Sequence, residues 1–155
     1  MAHRVRLVLL AIALLCGPAV ASAQAPVSFG RGELDIETTR GRHHFAIELA
    51  TTSDQQVRGL MYRRTLAANA GMLFLYDDDH EIQMWMKNTL IPLDMIFIRA
   101  DGTVLSVAER AVPQSLATIP SKGPARAVLE VNGGTAARLG IKPGDRVVYP
   151  AFRRS

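Results

Sequence analysis

Short runs in which apolar and polar residues alternate recur along the chain after residue 32. The clearest of them spans residues 81–87, where successive side chains of an extended strand point to opposite faces. One face consists of Ile82, Met84 and Met86, and the other of Glu81, Gln83, Trp85 and Lys87. A period of two is typical of a strand with one buried face, so this pattern restricts the chain to a mainly β fold.

Eight apolar or alternating runs predict strands, and turn residues separate most of them. The strands are predicted over residues 33–38, 43–50, 71–76, 81–87, 93–99, 103–109, 125–131 and 146–149. The dipeptides Arg40-Gly41 and Asp101-Gly102 supply turns of the kind that join hairpins. Hairpins favour antiparallel pairing of the strands that they connect.

Two short segments change to helical spacing. Ser or Thr before Asp54 is an N-cap signal, and a helix is predicted over about residues 54–63 with Gly59 in its interior. A second helix is predicted over residues 135–139, ended by Gly140. The expected fold is a single compact α+β domain, mainly β, with two short helices. Its sheet is an antiparallel curled sheet or a partly open small barrel.

The first 23 residues have the order of a secretory signal. Arg4 and Arg6 precede the apolar run 7–15, and the small-residue triplet Ala21-Ser22-Ala23 follows. We expect cleavage before Gln24 and export to the periplasm; the alternative is an uncleaved N-terminal membrane anchor. The rest of the chain is predicted to form a flexible leader (24–32), one globular domain (33–150) and a C-terminal tail (151–155).

Cleavage would remove Cys16, which is the single cysteine, and with it all thiol chemistry and any disulfide. The full chain carries 18 Lys and Arg against 14 Asp and Glu, a net charge of +4. Two of the cationic residues lie in the signal segment, so the mature charge is small and positive. Without a basic run, such a charge argues against a nucleic-acid partner.

The single tryptophan, Trp85, lies on the polar face of its strand, just before Lys87, Asn88 and Thr89. An aromatic ring among hydrogen-bonding groups is suited to stacking against a flat or sugar-like ligand. The alternative is a ring that covers a sheet edge or packs under a lysine stem.

Arg58, Arg63 and Arg64 form a basic cluster near the first predicted helix. Guanidinium groups match the geometry of carboxylates and phosphates, although a solvated helix face is the alternative interpretation. Arg58, beside Gly59, is the member that we single out as a candidate ligand-binding residue.

Two acids lie inside apolar strands. Asp94 shares a face with Ile96, and Glu130 shares one with Val128. A buried acid needs a partner, so Asp94 either pins its own loop or binds a ligand. In unlike environments the pKa values of the two acids would separate. The enzymatic alternative is therefore an acid–base hydrolase that uses Asp94 and Glu130.

Methionine and histidine raise a third alternative, periplasmic Cu(I) binding. Met84-Trp85-Met86 and His43-His44 contain the soft ligands that suit Cu(I). Met84 and Met86 share a face with Ile82, however, which favours packing in the core. The sequence therefore predicts no resident metal or other cofactor.

A set of motifs in fixed order resembles the family called domain of unknown function 192 (DUF192). The motifs are Arg58-Gly59-Leu60-Met61-Tyr62-Arg63, Gly71-Met72-Leu73-Phe74, Trp85-Met86-Lys87-Asn88-Thr89, Pro92-Leu93-Asp94, Leu129-Glu130, Gly133-Gly134 and Gly144-Asp145. The resemblance extends from about residue 34 to residue 149. Members are often small bacterial or archaeal proteins with an N-terminal signal or anchor. The resemblance implies a compact, mostly β fold and no established activity.

The leading hypothesis is a non-enzymatic exported module that binds a small polar ligand, an envelope glycan or a protein partner. Its site is predicted to contain Arg58, Trp85, Lys87, Asn88, Thr89, Asp94 and Glu130. Contact with a membrane is expected only through an uncleaved signal segment.

Overall fold

The computed structural model describes residues 26–152. The predicted signal segment, the first two residues of the leader and residues 153–155 lie outside the described residues. The strands within the described part are β1 (Gly30–Thr38), β2 (Gly41–Ala50), β3 (Ala70–Met84), β4 (Leu93–Ile98), β5 (Val104–Ala111), β6 (Ile119–Asn132) and β7 (Arg146–Val148), and the helices are α1 (Ser53–Arg58) and α2 (Thr135–Leu139). Neither of these helices is long and apolar enough to cross a membrane.

The strands form one curled sheet in the order β5-β4-β6-β3-β2-β1-β7. Its two edges approach each other, because Thr103, just before β5, forms an antiparallel bridge with Arg146 of β7. The amide of Val104 also donates a hydrogen bond to the carbonyl of Asp145 at 2.8 Å. The sheet is therefore a partly closed barrel. The prediction of a single, mainly β domain with a curled sheet and two short helices is confirmed.

One pair of strands departs from the expected antiparallel arrangement. β2 and β3 are parallel, in register from Ala46 opposite Ala70 to Ala50 opposite Phe74. The other described pairs are antiparallel. Residues 51–69 connect β2 to β3 and contain α1, and a connection of this length returns the chain to the end of the sheet where β2 began. This crossover places α1 close to β2 and β3.

The sheet buries apolar side chains on both of its faces. The inner cluster lies inside the curl, since it draws on both edge strands and includes Leu34, Phe45, Ile96, Val104, Leu129 and Val147. The outer cluster lies on the opposite face and includes Leu60, Met72, Phe74, Met84, Met86 and Phe97. Burial on two faces explains why all six residues of β4 are inaccessible to solvent.

Several predicted boundaries are wrong at the ends of elements. β1 begins at Gly30, so residues 30–32 of the expected leader belong to the sheet. Gly30 and Gly32 pair with Leu49 and Ile47 of β2, but glycines carry no side chain to extend the alternation. The expected tail contains Phe152, which is buried in the inner cluster.

Inside the chain, three elements also differ from the prediction. β3 is one strand rather than two, and its register against β6 shifts between Leu75 and His80. β6 begins at Ile119 instead of residue 125. α1 ends at Arg58, because Gly59 adopts φ +43° and forms the C-cap. Gly59 is therefore a helix terminator and not a tolerated interior glycine.

The first paired position of β3 and β6 requires a glycine, and replacing Gly71 by alanine is expected to lower the free energy of unfolding by about 1–3 kcal/mol. A Cβ atom there would lie 2.7 Å from the carbonyl oxygen of Glu130 and 3.1 Å from side-chain carbons of Leu129 and Val131. Because the closest atom belongs to the backbone of a central strand, β6 would have to move. Urea unfolding followed by circular dichroism measures the loss.

The matched control is Gly30→Ala in β1, where the new Cβ would lie 3.5 Å from Leu49, an ordinary contact distance. We expect that variant to unfold within about 0.5 kcal/mol of the wild type. Equal losses in the two variants would contradict close packing at Gly71.

Candidate functional site

Glu130 is a buried acid near the end of β6 and is only 4 % exposed. It lies opposite Met72 of β3 and Met95 of β4, which places its side chain on the outer face of the sheet. Burial raises the pKa of Glu130 from 4.5 to about 8, and no neighbouring charge or hydrogen bond within residues 26–152 offsets that effect. The carboxyl group is therefore mostly neutral at pH 7, and in that form it is able both to donate and to accept a hydrogen bond.

A small pocket connects Glu130 to the protein surface, and we name it the Glu130 pocket. Its buried members include Leu60, Phe74, Thr89 and Glu130, and its exposed members include Arg58, Trp85 and Lys87. The open space is about 20 Å³, which is enough for one water-sized group. The pocket therefore accepts a single functional group and leaves the rest of any ligand outside.

α1 and the turn after it form one wall of the Glu130 pocket. Thr52 and Gln55 form a capping box that fixes the start of the helix. The side-chain amide of Gln56 donates to the carbonyl of Leu75 at 2.9 Å and ties α1 to β3. A Cβ atom at Gly59 would lie 3.0 Å from Phe74, so the absence of a side chain lets this turn pack against the pocket.

The end of β3 forms the opposite wall. Trp85 is 47 % exposed, whereas its neighbours Met84 and Met86 are buried. The ammonium group of Lys87 lies 5.2 Å from the centre of the Trp85 ring, which is within the range of a cation–π interaction. The ring therefore stands at the pocket mouth as an accessible aromatic surface.

Backbone hydrogen bonds hold the loop after β3 in place. Asn88 adopts φ +55°, a conformation that asparagine tolerates better than most residues, and its carbonyl accepts from the amide of Tyr62 at 2.8 Å. The carbonyl of Thr89 accepts from Gln114 at 3.0 Å, and the amide of Met86 donates to Ser115 at 3.0 Å. Trp85 and Lys87 therefore project from a fixed scaffold.

Asp94 lies elsewhere and has a structural role. It is fully buried, and one carboxylate oxygen accepts from the amides of Arg110 at 2.8 Å and Gly134 at 2.9 Å. The other oxygen accepts from the amide of Ala136 at 2.7 Å. Gly134 is the N-cap of α2 and has no side chain to bind these amides. Asp94 therefore caps α2 from β4 and pins it to the sheet.

The acid–base pair of Asp94 and Glu130 is not formed. Asp94 is opposite Val131, and Glu130 is opposite Met95, so the two carboxyls point to opposite faces of the sheet. Both Asp94 oxygens are also occupied by amides. The hydrolase hypothesis in its predicted form is wrong because no substrate contacts both groups across a sheet.

Five of the seven predicted site residues line the Glu130 pocket, namely Arg58, Trp85, Lys87, Thr89 and Glu130. Asn88 supports it from behind, with its side-chain amide 3.8 Å from the sulfur of Met61. Asp94 is the member that the structure removes from the site.

The predicted copper ligands do not converge. His43 contacts Thr38 at 3.2 Å and His44 contacts Asp35 at 3.0 Å, both on β1. Met84 and Met86 are packed in the outer cluster. Among residues 26–152, no group of three or more His, Cys, Asp or Glu is placed to hold a metal ion.

Two residues near Glu130 were missed by the sequence reasoning. Gln56 lines the pocket, and its position one turn before Leu60 in the predicted helix was the available signal. Tyr76 is half-buried, and burial together with the charge of Glu130 raises its pKa. Nothing in the sequence places Tyr76 near residue 130, because that proximity depends on the pairing of β3 with β6.

The comparisons with known proteins identify the family and the fold. The model of the DUF192 family, described as "Uncharacterized ACR", matches residues 35–149. The chain belongs to this family. A comparison with curated proteins finds no match.

Two solved structures resemble this DUF192 protein closely. One, from Sinorhizobium meliloti 1021, is named a candidate transcription regulator; it is 46 % identical, with a TM-score of 0.77, over 80 % of this chain and 97 % of its own. The other, a protein of unknown function from Novosphingobium aromaticivorans DSM 12444, is 48 % identical, with a TM-score of 0.75, over 77 % and 85 % of the two chains. The DUF192 fold is therefore shared by solved relatives, and neither name assigns an activity to this chain.

Proposed function

We propose that this DUF192 protein is an exported, non-enzymatic module that binds a small polar ligand at the Glu130 pocket, with a saccharide of the cell envelope as the ligand class. The observation that supports this most is convergence. Three separate segments, α1, the end of β3 and β6, contribute Arg58, Trp85 and Glu130 to one pocket.

The size of the pocket favours a ligand that inserts one group and rests its body on the surface. A space of about 20 Å³ accommodates a hydroxyl group but no ring. The ring of the ligand would lie outside, against the exposed face of Trp85. Sugars combine an apolar ring face with hydroxyls that donate and accept, which matches a tryptophan beside polar groups.

The hydrogen-bonding groups of the Glu130 pocket suit a neutral inserted group. Neutral Glu130 donates or accepts a bond to an inserted hydroxyl, and Lys87 and Arg58 supply donors at the mouth. Glu130 is the one carboxylic acid among the described lining residues. Glycoside hydrolysis uses a pair of carboxyl groups in most families, so binding is favoured over cleavage.

Export and the choice of partner rest on the sequence. The charged, apolar and small-residue order of residues 1–23 supports a signal segment. The name of the S. meliloti relative raises nucleic acid as another partner. The small net charge and the absence of a basic run favour the saccharide.

Replacing Trp85 by alanine is expected to weaken saccharide binding by about tenfold or more, because a tryptophan at the centre of a binding site contributes about 2 kcal/mol. A ligand is first found by titrating mono- and disaccharides against intrinsic fluorescence. Trp85 is the single tryptophan, so the signal reports on this site alone. Isothermal titration calorimetry then compares the wild type with Trp85→Ala.

The control is Leu116→Ala, which removes an exposed apolar side chain that does not line the pocket. Its affinity should equal that of the wild type. An unchanged affinity in Trp85→Ala would show that the ring takes no part in binding.

A further inference from the structure

A second and larger cleft adjoins the Glu130 pocket on the side of β1 and β2, and we name it the arginine cleft. It encloses about 400 Å³, and its charged lining residues are Arg31, Glu48, Arg58 and Arg63. Arg58 and Gly59 line both spaces. The arginine cleft therefore begins where the Glu130 pocket ends.

The one acid in the lining of this cleft is already paired. Glu48 lies directly opposite Arg31 in the β1–β2 register, yet its carboxylate binds the guanidinium of Arg63. Within residues 26–152, Arg31 has no ion-pair partner. Three cations thus surround a single anion, and the arginine cleft carries a net positive charge.

Arg58 is likewise available to an anion. Asp54 precedes it by four residues on α1, a spacing that often supports an ion pair, but the described part of the chain shows no such bridge. The guanidinium instead lies 4.9 Å from the centre of the Tyr62 ring. That stacking holds its plane while its N–H groups remain free to bind a second group.

We propose that the arginine cleft binds an anionic group carried by the same ligand that occupies the Glu130 pocket, so that the ligand is an acidic saccharide. This inference rests on the proposed function. Arg58 lies between the two spaces and contacts both parts of the ligand. Guanidinium groups bind carboxylate and phosphate oxygens through paired hydrogen bonds, so the charge derives from a uronic acid or a phosphorylated sugar.

The test compares three probes that differ in charge: glucose, glucuronate and glucose 6-phosphate. Each is titrated against Trp85 fluorescence in the wild type and in Arg31→Gln, with Arg64→Gln as the matched control. Arg64 is exposed and directly follows Arg63 of the cleft, but it does not line the cleft itself. We expect one of the acidic sugars to bind at least tenfold more tightly than glucose. Arg31→Gln should reduce that preference by at least threefold, and Arg64→Gln should leave it intact.

The outcomes separate the two proposals. Equal affinity for acidic and neutral sugars in the wild type would overturn the arginine cleft as an anion site and leave the proposed function standing. Equal loss of preference in Arg31→Gln and Arg64→Gln would also overturn it, because general charge would then be the cause. If no saccharide changes Trp85 fluorescence, the proposed function itself fails.

A competition experiment tests nucleic acid as the alternative ligand. Displacement of glucuronate by a short DNA duplex would overturn the saccharide proposal and assign the arginines to nucleic-acid binding.

Discussion

Asp94→Ala is expected to lower the free energy of unfolding by about 3–5 kcal/mol, because three backbone amides lose a buried charged acceptor. These amides belong to Arg110, Gly134 and Ala136, so the substitution releases the end of β5 and the start of α2 together. Urea unfolding at pH 7 measures the loss. Asp94→Asn keeps one acceptor oxygen and should give an intermediate value.

The matched control removes an acid that is paired at the surface. Asp79 binds Arg126 at 2.7 Å, and both side chains are partly exposed. Exposed ion pairs contribute at most about 1 kcal/mol, so Asp79→Ala should have little effect. If Asp94→Ala were no more destabilising than Asp79→Ala, the amides would have other partners and the capping role would be refuted.

The second large effect is a dependence of stability on pH that originates at Glu130. Its pKa is about 8 in the folded protein against an ordinary value of 4.5, so the folded state binds the proton more tightly than the unfolded state. The associated stability is fully present below about pH 4.5 and is lost as the pH rises toward 8. At about 1.4 kcal/mol per pH unit, the full loss is roughly 3–5 kcal/mol.

The Glu130→Gln variant isolates this contribution, because an amide of similar shape does not titrate. We expect its free energy of unfolding to exceed that of the wild type at pH 8.5, and the two curves to converge near pH 5. Glu109→Gln, at an exposed position of β5, should follow the wild type throughout. Parallel curves for wild type and Glu130→Gln would show that Glu130 ionises normally in the folded state.

Alternation in the sequence predicted the parts of the site that depend on local geometry. Trp85 is on the polar face of its strand and Met84 and Met86 are on the buried face, as a period of two requires. Glu130 was found because an acid inside an apolar run is unusual. These inferences needed no knowledge of which strands pair.

The relation between Asp94 and Glu130 could not be predicted, because it depends on register between distant strands. The two residues lie on adjacent strands, β4 and β6, and a shift of one position would have placed both carboxyls on the same face. The register of β4 against β6 therefore determines whether Asp94 is a capping residue or a member of a catalytic pair. It is decided by tertiary packing of Met95 and Val131 in different clusters.

Other features of the fold were not predicted because they depend on glycines. Gly30 and Gly32 flank Arg31 and interrupt the alternation, so a residue of the arginine cleft was assigned to the leader. Gly59 resembles an interior helix residue until its positive φ is known. The parallel pairing of β2 with β3 follows from the path of residues 51–69, and no local pattern encodes that path.

The bridge between the ends of the sheet also determines when the domain is able to fold. β7 pairs with β1 near Asp35 and Val148. The first of the seven strands to be synthesised therefore cannot complete its pairing until the last strand has been made. During synthesis the N-terminus leaves the ribosome first. The inner cluster cannot close until residues 148 and 152 have also left the ribosome. Such long-range closure slows folding and keeps partial chains open, which is the condition in which a polypeptide threads through a narrow channel.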